Sequence, residues 1–417
     1  MEFVLPFAFS DFPEDVQIRI LSFLDPSELE SFARTSTTSL ALCRDDERLW
    51  FLKCGRRWGS QTQIKNWGGR KISYRHLYHL LEKYENLIGF WFLDYYSTIS
   101  PSLSTFLVCF EWGSFYITGY RVSPSKSGGY GVTKKPFLWI TATSNGKGLN
   151  YLDTDGRVSL TDKDLLREDS EKLRGELILV DIQFALNCHL LMWENPQFFE
   201  FRRRLSTRVE YESVYGCPPD RLMAQICGIL GGKHSLTRDT TSKKERRQRV
   251  QTWDSQHFRK AIDSPTPSRP LQGLWKGVSP NGSLNLYWVS YREVIDYILC
   301  ENVGGSSKIE SYEAFRALST VFMESPYPPE EESRYSSRVH VRPPRAIHSD
   351  DHDLWGIFYA DSSCNSNPSY LSGNMDDADG RIWVYTNGTF GFGFLRDDFI
   401  VDLKPVVKNG CLLDLTM

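Results

Sequence analysis

The N-terminal fold is decided by a stretch that reads FPEDVQIRILSFL at residues 12–24 and DPSELESFA at residues 25–33. It predicts two short amphipathic helices joined by a capped turn. Pro13 suits a first helical position, where its missing N–H costs nothing. Asp25 predicts the N-cap of the second helix, because a proline follows it and Glu28 completes a capping pattern. The apolar residues of the first helix recur at helical spacing, at Val16, Ile20, Phe23 and Leu24, with Ile18 and Leu21 widening the stripe.

These two helices carry more apolar surface than so short a segment buries by itself. One explanation is a helical hairpin at the N-terminus that packs on the rest of the chain. The other is a docking module whose apolar face binds a partner protein. Periodicity alone does not separate the two, because amphipathic helices need an apolar partner in either case.

The same residues resemble the F-box motif in their order and spacing. The matching features are Phe12-Pro13-Glu14, the run from Ile20 to Leu24, the Asp25-Pro26 turn, Leu29, and the closing Leu49-Trp50. Phe12 replaces the usual leucine, but no departure from the motif puts a charge into the apolar face. The resemblance implies an F-box module at residues 8–52 that docks on a Skp1-like adaptor and, through it, on a cullin–RING scaffold.

The resemblance also implies which side chains contact the adaptor, through burial of a helix face in an apolar groove. The positions that match the adaptor-contact pattern of the family are Phe12, Pro13, Ile18, Leu21, Leu24, Leu29 and Phe32. Some of them must instead pack the small core of the module, and the sequence alone does not sort the two groups.

Length and composition indicate an ordinary globular protein rather than a fibrous or membrane one. The 417 residues are 41% hydrophobic and 24% charged, and the high aromatic content of 14% favours β structure or an aromatic-lined cleft. The net charge of -3 gives no general attraction to nucleic acid or to an anionic membrane. We therefore expect neither as a partner.

The cysteines indicate a reducing compartment. The chain has nine of them, scattered and without a Cys-x-x-Cys pair, which is typical of free thiols. We expect the protein in the cytoplasm or the nucleus, without a cofactor or metal.

The fold class predicted for the whole chain is α+β. After the F-box we expect a helical spacer at residues 53–86 and then a β-rich domain at 87–417, an antiparallel barrel or sandwich. Flexible inserts are expected near residues 235–270 and 325–350, because both stretches are rich in proline and charge. The clearest hairpin surrounds Asn387-Gly388, the pair favoured by a type I′ turn.

A repeat of tryptophan beside glycine supports the barrel. It occurs at Gly89-Phe90-Trp91, at Gly273-Leu274-Trp275 and at Leu354-Trp355-Gly356. The segment Gly273–Ser290 resembles the start of the C-terminal barrel of some F-box proteins, including the vertebrate receptor for D-type cyclins and similar plant proteins. This resemblance implies that the β domain binds a short segment of a substrate protein.

Four tryptophans are candidates for the substrate site, namely Trp275, Trp288, Trp355 and Trp383. Exposed aromatic side chains commonly anchor a bound peptide, but each of these residues could equally fill the barrel core. The predicted function is substrate recognition within a Skp1–cullin–F-box (SCF) ubiquitin ligase, without catalysis by this chain. The alternative is a barrel that binds a carbohydrate or another small ligand.

Signs of catalytic chemistry are few. There is no Gly-x-Ser-x-Gly elbow, and no cysteine stands out as a nucleophile. The cluster of His348, Asp350 and His352 is the one set of metal-binding side chains close in sequence, and an exposed acidic loop explains it better than a metal-dependent enzyme. The basic run at residues 243–249 fits a solvated linker or a nuclear import signal.

Overall fold

A computed structural model describes most of the chain outside one long central stretch. The described residues are 8–95, 104–125, 130–153, 158, 160, 177–185, 189–194, 256–261, 265–292, 297–305, 313–317, 322–342, 353–361, 379–408 and 410–415. An N-terminal helical region precedes two antiparallel β barrels, which confirms the predicted α+β class. In these ranges no helix has the length and apolar character needed to cross a membrane.

Helices and helical turns, joined by short loops, make up the chain from residue 9 to residue 85. Its elements are a 3₁₀ turn at Phe9–Asp11, α1 at Glu14–Leu21, α2 at Pro26–Ala33, α3 at Thr37–Arg44, a π-helical turn at Asp46–Trp50, α4 at Phe51–Trp58, a 3₁₀ segment at Ile64–Arg70 and α5 at Tyr74–Glu85. The predicted start of α2 is confirmed, because the Asp25 N–H donates to Glu28 Oε2 at 2.7 Å.

The first barrel follows the helices and is closed by pairing of its first and last strands. Its strands, each antiparallel to the next, are β1 Gly89–Tyr95, β2 Ser104–Trp112, β3 Ile117–Pro124, β4 Val132–Ala142, β5 Gly148–Leu152, β6 Ile178–Ala185, β7 His189–Glu194 and β8 Gln256–Lys260. Because β8 lies inside the insert expected near 235–270, that expectation was wrong for residues 256–260; residues 235–255 lie outside the described ranges.

The second barrel is also a meander, with one added strand. Its elements are β9 Gly273–Val278, β10 Leu284–Arg292, β11 Tyr297–Gly305, β12 Glu313–Ala317, α6 Pro329–Ser336, β13 Val339–Val341, β14 Leu354–Asp361, β15 Asp379–Tyr385, β16 Phe390–Phe394 and β17 Phe399–Pro405, with a short hairpin of β18 Val407–Lys408 and β19 Cys411–Leu412. Pairing of β17 with β9 closes it, and β13 lies parallel to β17 beside the closure.

The hairpin predicted around Asn387-Gly388 is present, but its turn type differs from the prediction. A type I′ turn requires a positive φ at both residues of this pair. Gly388 has a φ of +80°, but Asn387 does not adopt a positive φ. The Gly388 N–H donates to the Tyr385 carbonyl at 3.0 Å. The loop is therefore a type I turn completed by a left-handed glycine.

The two barrels begin in the same way. The indole N–H of Trp91 donates to the Leu87 carbonyl at 2.7 Å, and that of Trp275 donates to the Leu271 carbonyl at 2.8 Å. Each tryptophan stands two residues after a positive-φ glycine that opens the first strand. The repeat noted in the sequence thus marks the start of each barrel at its first two occurrences.

One apolar core joins the helices to the first barrel. Trp67 packs edge-on against Trp112 of β2, with ring centroids 6.5 Å apart. The Thr62 hydroxyl donates to the Ser114 carbonyl at 2.9 Å. The shared core includes Leu21, Trp58, Leu77, Trp91, Phe110 and Trp139. The division into domains at 8–52, 53–86 and 87–417 stays a prediction. Residues from all three ranges pack in this one core.

A second apolar core joins the two barrels. Phe92 of β1 packs against Trp288 of β10, with ring centroids 4.9 Å apart. Beside this contact the buried Lys276 donates to the Tyr130 carbonyl at 3.0 Å and pairs with Asp414 at 2.6 Å. The barrels are therefore packed on one another, and no charge is left unpaired at Lys276.

Candidate docking surfaces

Helix α1 has two apolar faces, of which only one is covered by the chain itself. Ile18 and Leu21 are buried, with 2% and 1% of their surfaces exposed. Val16 and Ile20, one turn apart, lie on the opposite face, and Ile20 is 41% exposed. Phe23 follows just beyond the end of the helix and is 68% exposed. The described residues therefore leave Ile20 and Phe23 of this second face largely accessible to solvent.

The predicted adaptor contacts divide between the surface and the core. Phe12 and Pro13 are exposed, and Leu24 and Phe32 are half-buried. The other three, Ile18, Leu21 and Leu29, lie in the core of the helical region. They therefore support the docking surface from beneath, because their side chains fill the chain's own core instead of reaching solvent.

Sequence reasoning placed Ile20 and Phe23 in the apolar stripe but did not include them among the adaptor contacts. The signal was available, since the 16–20–23 spacing and the 18–21 spacing point to different sides of a helix. We call five residues of this region the docking face, namely the exposed Phe12, Pro13, Ile20 and Phe23 and the half-buried Val16.

Helix α4 fixes the loop that carries Phe23. The guanidinium of Arg56 lies 3.4 Å from the centroid of the Phe23 ring. The ammonium of Lys53 donates to the Leu24 carbonyl, and burial lowers the pKa of that ammonium. Residues 22–27 and α4 form the walls of an open cleft of about 720 Å³. These contacts within the chain hold Phe23 at the surface.

The tryptophans proposed from the sequence do not form one cleft. Trp275, Trp288 and Trp383 are buried, with 2%, 5% and 0% of their surfaces exposed, so they fill cores rather than a substrate site. One side of each of these strands faces a barrel interior, and the other side is covered by a neighbouring part of the chain. The alternation of residues in the sequence does not show that both sides are buried. Trp355 is 43% exposed and is the exception.

The outer wall of the second barrel is covered by residues 322–342, which we call the strap. It starts where Met323 forms a β-bridge with Ile357 of β14, continues through α6, and ends in β13 beside β17. A loop was expected near 325–350. Between 329 and 341 that expectation was wrong, because a helix and a strand form there; residues 343–350 lie outside the described ranges.

A buried ion pair fastens the strap to the barrel wall. Arg381 of β15 donates two hydrogen bonds, each 3.1 Å, to the carboxylate of Glu331 in α6. Burial alone would raise the pKa of Glu331, but hydrogen bonds and charge from Arg381 and Arg334 outweigh it and lower that pKa. Both partners of the pair are over nine-tenths buried.

A second polar cluster lies at the end of the strap. The carboxylate of Asp402 in β17 is within 2.9 Å of His340 Nδ1, accepts a hydrogen bond of 2.6 Å from the Tyr385 hydroxyl, and accepts another from Arg342. Burial opposes ionisation of Asp402, yet these partners hold its pKa below the ordinary value. Two of the partners, His340 and Arg342, belong to the strap.

Acid is expected to weaken the second barrel through Asp402. Because its pKa is lower in the folded chain than in the unfolded chain, its stabilisation is present above the unfolded value and disappears as the pH falls through the folded one. One such group changes the free energy of unfolding by at most about 1.4 kcal/mol per pH unit. Urea unfolding between pH 7 and pH 3 should show that the free energy of unfolding falls less steeply with pH in Asp402→Asn than in the natural chain. An identical slope would contradict this role.

An exposed aromatic patch lies at the start of the strap. Trp355 stacks on Phe322, with ring centroids 4.5 Å apart. Tyr359, on the same strand, is 51% exposed and covers the guanidinium of Arg381 at 4.3 Å. We call Phe322 and Trp355 the aromatic patch, and Trp355 is the one residue of the predicted tryptophan site that is exposed.

Two sequence-based predictions fall outside the described residues. They are the metal alternative at His348, Asp350 and His352 and the basic run at residues 243–249.

Comparison with known proteins matches both the helical region and the whole chain. The model of the F-box domain family matches residues 9–51, the region that carries the docking face. The F-box protein At3g12350 of Arabidopsis thaliana is 39% identical over 425 residues, which covers 99% of this chain and 98% of that protein. Since the match extends through both barrels, the chain belongs to the F-box protein family.

Proposed function

We propose that this chain is the substrate-recognition subunit of an SCF-type E3 ubiquitin ligase. Its F-box indicates binding to a Skp1-like adaptor, which links it to a cullin–RING scaffold. Catalysis belongs to other subunits, and this chain raises the local concentration of a substrate protein beside the ubiquitin-loaded enzyme. The observation that carries the proposal is the uncovered docking face on a body of two packed barrels.

The docking face has the character of a helix-in-groove contact. Ile20 and Phe23 are large apolar side chains with 41% and 68% of their surfaces exposed. Adjacent exposed apolar residues on a soluble protein commonly mark an interaction site. Phe12 and Pro13 extend the same face at the start of α1, so the adaptor would cover one continuous apolar strip.

The second barrel is the substrate end of the proposal. Its aromatic patch offers Trp355 as an anchor, with Phe322 beside it. A concave aromatic platform with flanking Asp and Asn would favour the alternative of a carbohydrate-binding barrel, and three of the four candidate tryptophans are buried. A protein segment with an apolar side chain is therefore the favoured occupant of the patch.

Trp355→Ala is expected to reduce substrate capture without loss of adaptor. The indole is 43% exposed, so its removal costs little stability, whereas loss of an aromatic anchor commonly weakens an interface by about 2 kcal/mol or more. The measurement is quantitative mass spectrometry of proteins bound to the full chain in cells treated with a cullin inhibitor. Their recovery should fall by more than about tenfold.

Trp355→Phe serves as the matched control, because it keeps an aromatic ring on Phe322. It should restore most of the captured proteins. Equal recovery with Trp355→Ala and with the natural chain would remove the aromatic patch from the proposal while leaving adaptor binding in place.

A further inference from the structure

Among the strands that the structure describes, the added strand β13 has one sheet edge without a neighbouring strand. Within the described residues, β13 ends the strand order of the second barrel and pairs with β17 alone. The Val339 N–H donates to the Asp398 carbonyl at 2.9 Å, so Val339 faces β17. In a parallel pair alternate residues face opposite sides, and the backbone N–H and carbonyl of His340 therefore point away from the barrel. Val339 itself is 68% exposed.

A basic cleft lies at the start of this edge. It has a volume of about 540 Å³. We call it the arginine cleft, and its lining residues are Arg334, Ser337, Arg338, Leu395, Arg396, Asp397 and Asp398. Two of its arginines form ion pairs, because Arg334 shares the buried Glu331 with Arg381 and Arg396 lies 3.6 Å from Asp397.

Arg338 is the charge in this cleft that lacks an acidic partner. Its guanidinium donates to the carbonyl oxygens of Arg334, Leu395 and Asp397. Among the described residues no carboxylate lies within ion-pair distance of it. Burial and the nearby charge of Arg334 lower the pKa of the Arg338 guanidinium. The three hydrogen bonds use three of its five N–H donors, so donors remain for an anion.

We propose that an extended acidic segment of the substrate protein adds as a strand to the open edge of β13 and places a carboxylate in the arginine cleft beside Arg338. Exposed sheet edges bind extended peptides through main-chain hydrogen bonds, and side-chain pockets then supply specificity. A carboxylate of the segment would accept hydrogen bonds from the remaining donors of Arg338, with which no described carboxylate forms an ion pair. This inference rests on the proposed function as a substrate receptor and adds the chemical class of the substrate segment.

The test uses a defined peptide probe, because the substrate is unidentified. Acetyl-Thr-Val-Glu-Val-Glu-Val-Thr-amide, labelled with fluorescein, alternates apolar and acidic side chains along one strand and has no terminal carboxylate. Fluorescence anisotropy measures its binding to the full chain purified with its adaptor. The paired probe has glutamine at both glutamate positions, and a third probe carries N-methyl groups at alternate residues to remove main-chain donors.

The acidic probe is expected to bind at least about tenfold more tightly than the glutamine probe, the ratio that one charge-assisted hydrogen bond provides. N-methylation should abolish binding. Arg338→Gln should reduce the affinity about tenfold. Arg396→Gln, whose side chain is 52% exposed, should reduce it without affecting the fold, whereas Asp398→Asn should increase it by removing a like charge from the cleft.

Equal affinity for the acidic and glutamine probes would overturn the proposal, as would unchanged affinity in Arg396→Gln and Asp398→Asn. Absence of binding at millimolar probe would overturn it as well. Co-purification of the adaptor is measured in the same preparations. Adaptor retained with no peptide bound would reject this inference alone, whereas loss of the adaptor from the natural chain would reject the proposed function.

Discussion

The double variant Ile20→Asp with Phe23→Asp is expected to abolish co-purification of the Skp1-like adaptor. Both side chains lie on the docking face, with 41% and 68% of their surfaces exposed, so the free chain tolerates the change. In the complex the carboxylate at position 20 would be buried against apolar surface without a partner, which is strongly unfavourable, and the change at position 23 removes the ring that Arg56 contacts. A loss of about 100-fold or more in affinity follows from about 3 kcal/mol. Surface plasmon resonance with the immobilised adaptor measures it.

Leu415→Asp is the matched control for the docking face. Leu415 is also an exposed apolar residue, with 45% of its surface accessible, but it lies near the C-terminus. It should leave the adaptor affinity unchanged. Ile18→Asp is not a useful test, because Ile18 is 2% exposed and a charge there would unfold the helical region. Retained adaptor binding in Ile20→Asp with Phe23→Asp would defeat the assignment of this face.

Glu331→Gln is expected to detach the strap from the second barrel. The substitution keeps the size of the side chain but leaves Arg381 buried without its carboxylate, and such a break typically costs about 3–5 kcal/mol. Hydrogen–deuterium exchange is the measurement, because it reports the strap separately from the rest of the chain. The amides of α6 and β13 should exchange faster, while those of the first barrel keep their protection.

The neighbouring Glu332→Gln provides the control for the strap, since Glu332 is exposed on the same helix. It should leave the exchange rates unchanged. Replacing both buried partners, as Glu331→Leu with Arg381→Leu, should cost less than the sum of the single leucine variants, because neither member of the buried pair is then left without the other. Equal exchange in Glu331→Gln and in the natural chain would show that the ion pair does not hold the strap.

The helical region and the hairpin around Asn387-Gly388 could be predicted because their signals are local. Pro13, Asp25 and Glu28 mark helix starts in any context, and Gly388 marks a turn. The side to which an apolar residue points is not local. Ile18 and Ile20 are the same residue type two positions apart in one helix, and only the packing of the other helices separates core from surface.

The elements that could not be predicted depend on distant partners. Strand β8 reads QHFRK, without apolar alternation, and is held by pairing with β1 and β7. The tryptophans were ambiguous because the strap covers the outer wall of the second barrel, so Trp383 is buried on the side that alternation would leave exposed. For α6 the signal existed: Pro329 followed by three glutamates is a typical helix start.

The two cores that join the helices to the first barrel and the first barrel to the second have a consequence for where ubiquitin would be placed in the proposed complex. A body packed in this way would hold the docking face and the second barrel at a restricted distance from one another. In the proposed complex, a substrate bound at the second barrel would present only those lysines that lie within a limited sector facing the ubiquitin-loaded enzyme. Selectivity would then act twice, once on the bound segment and once on the reach of each lysine.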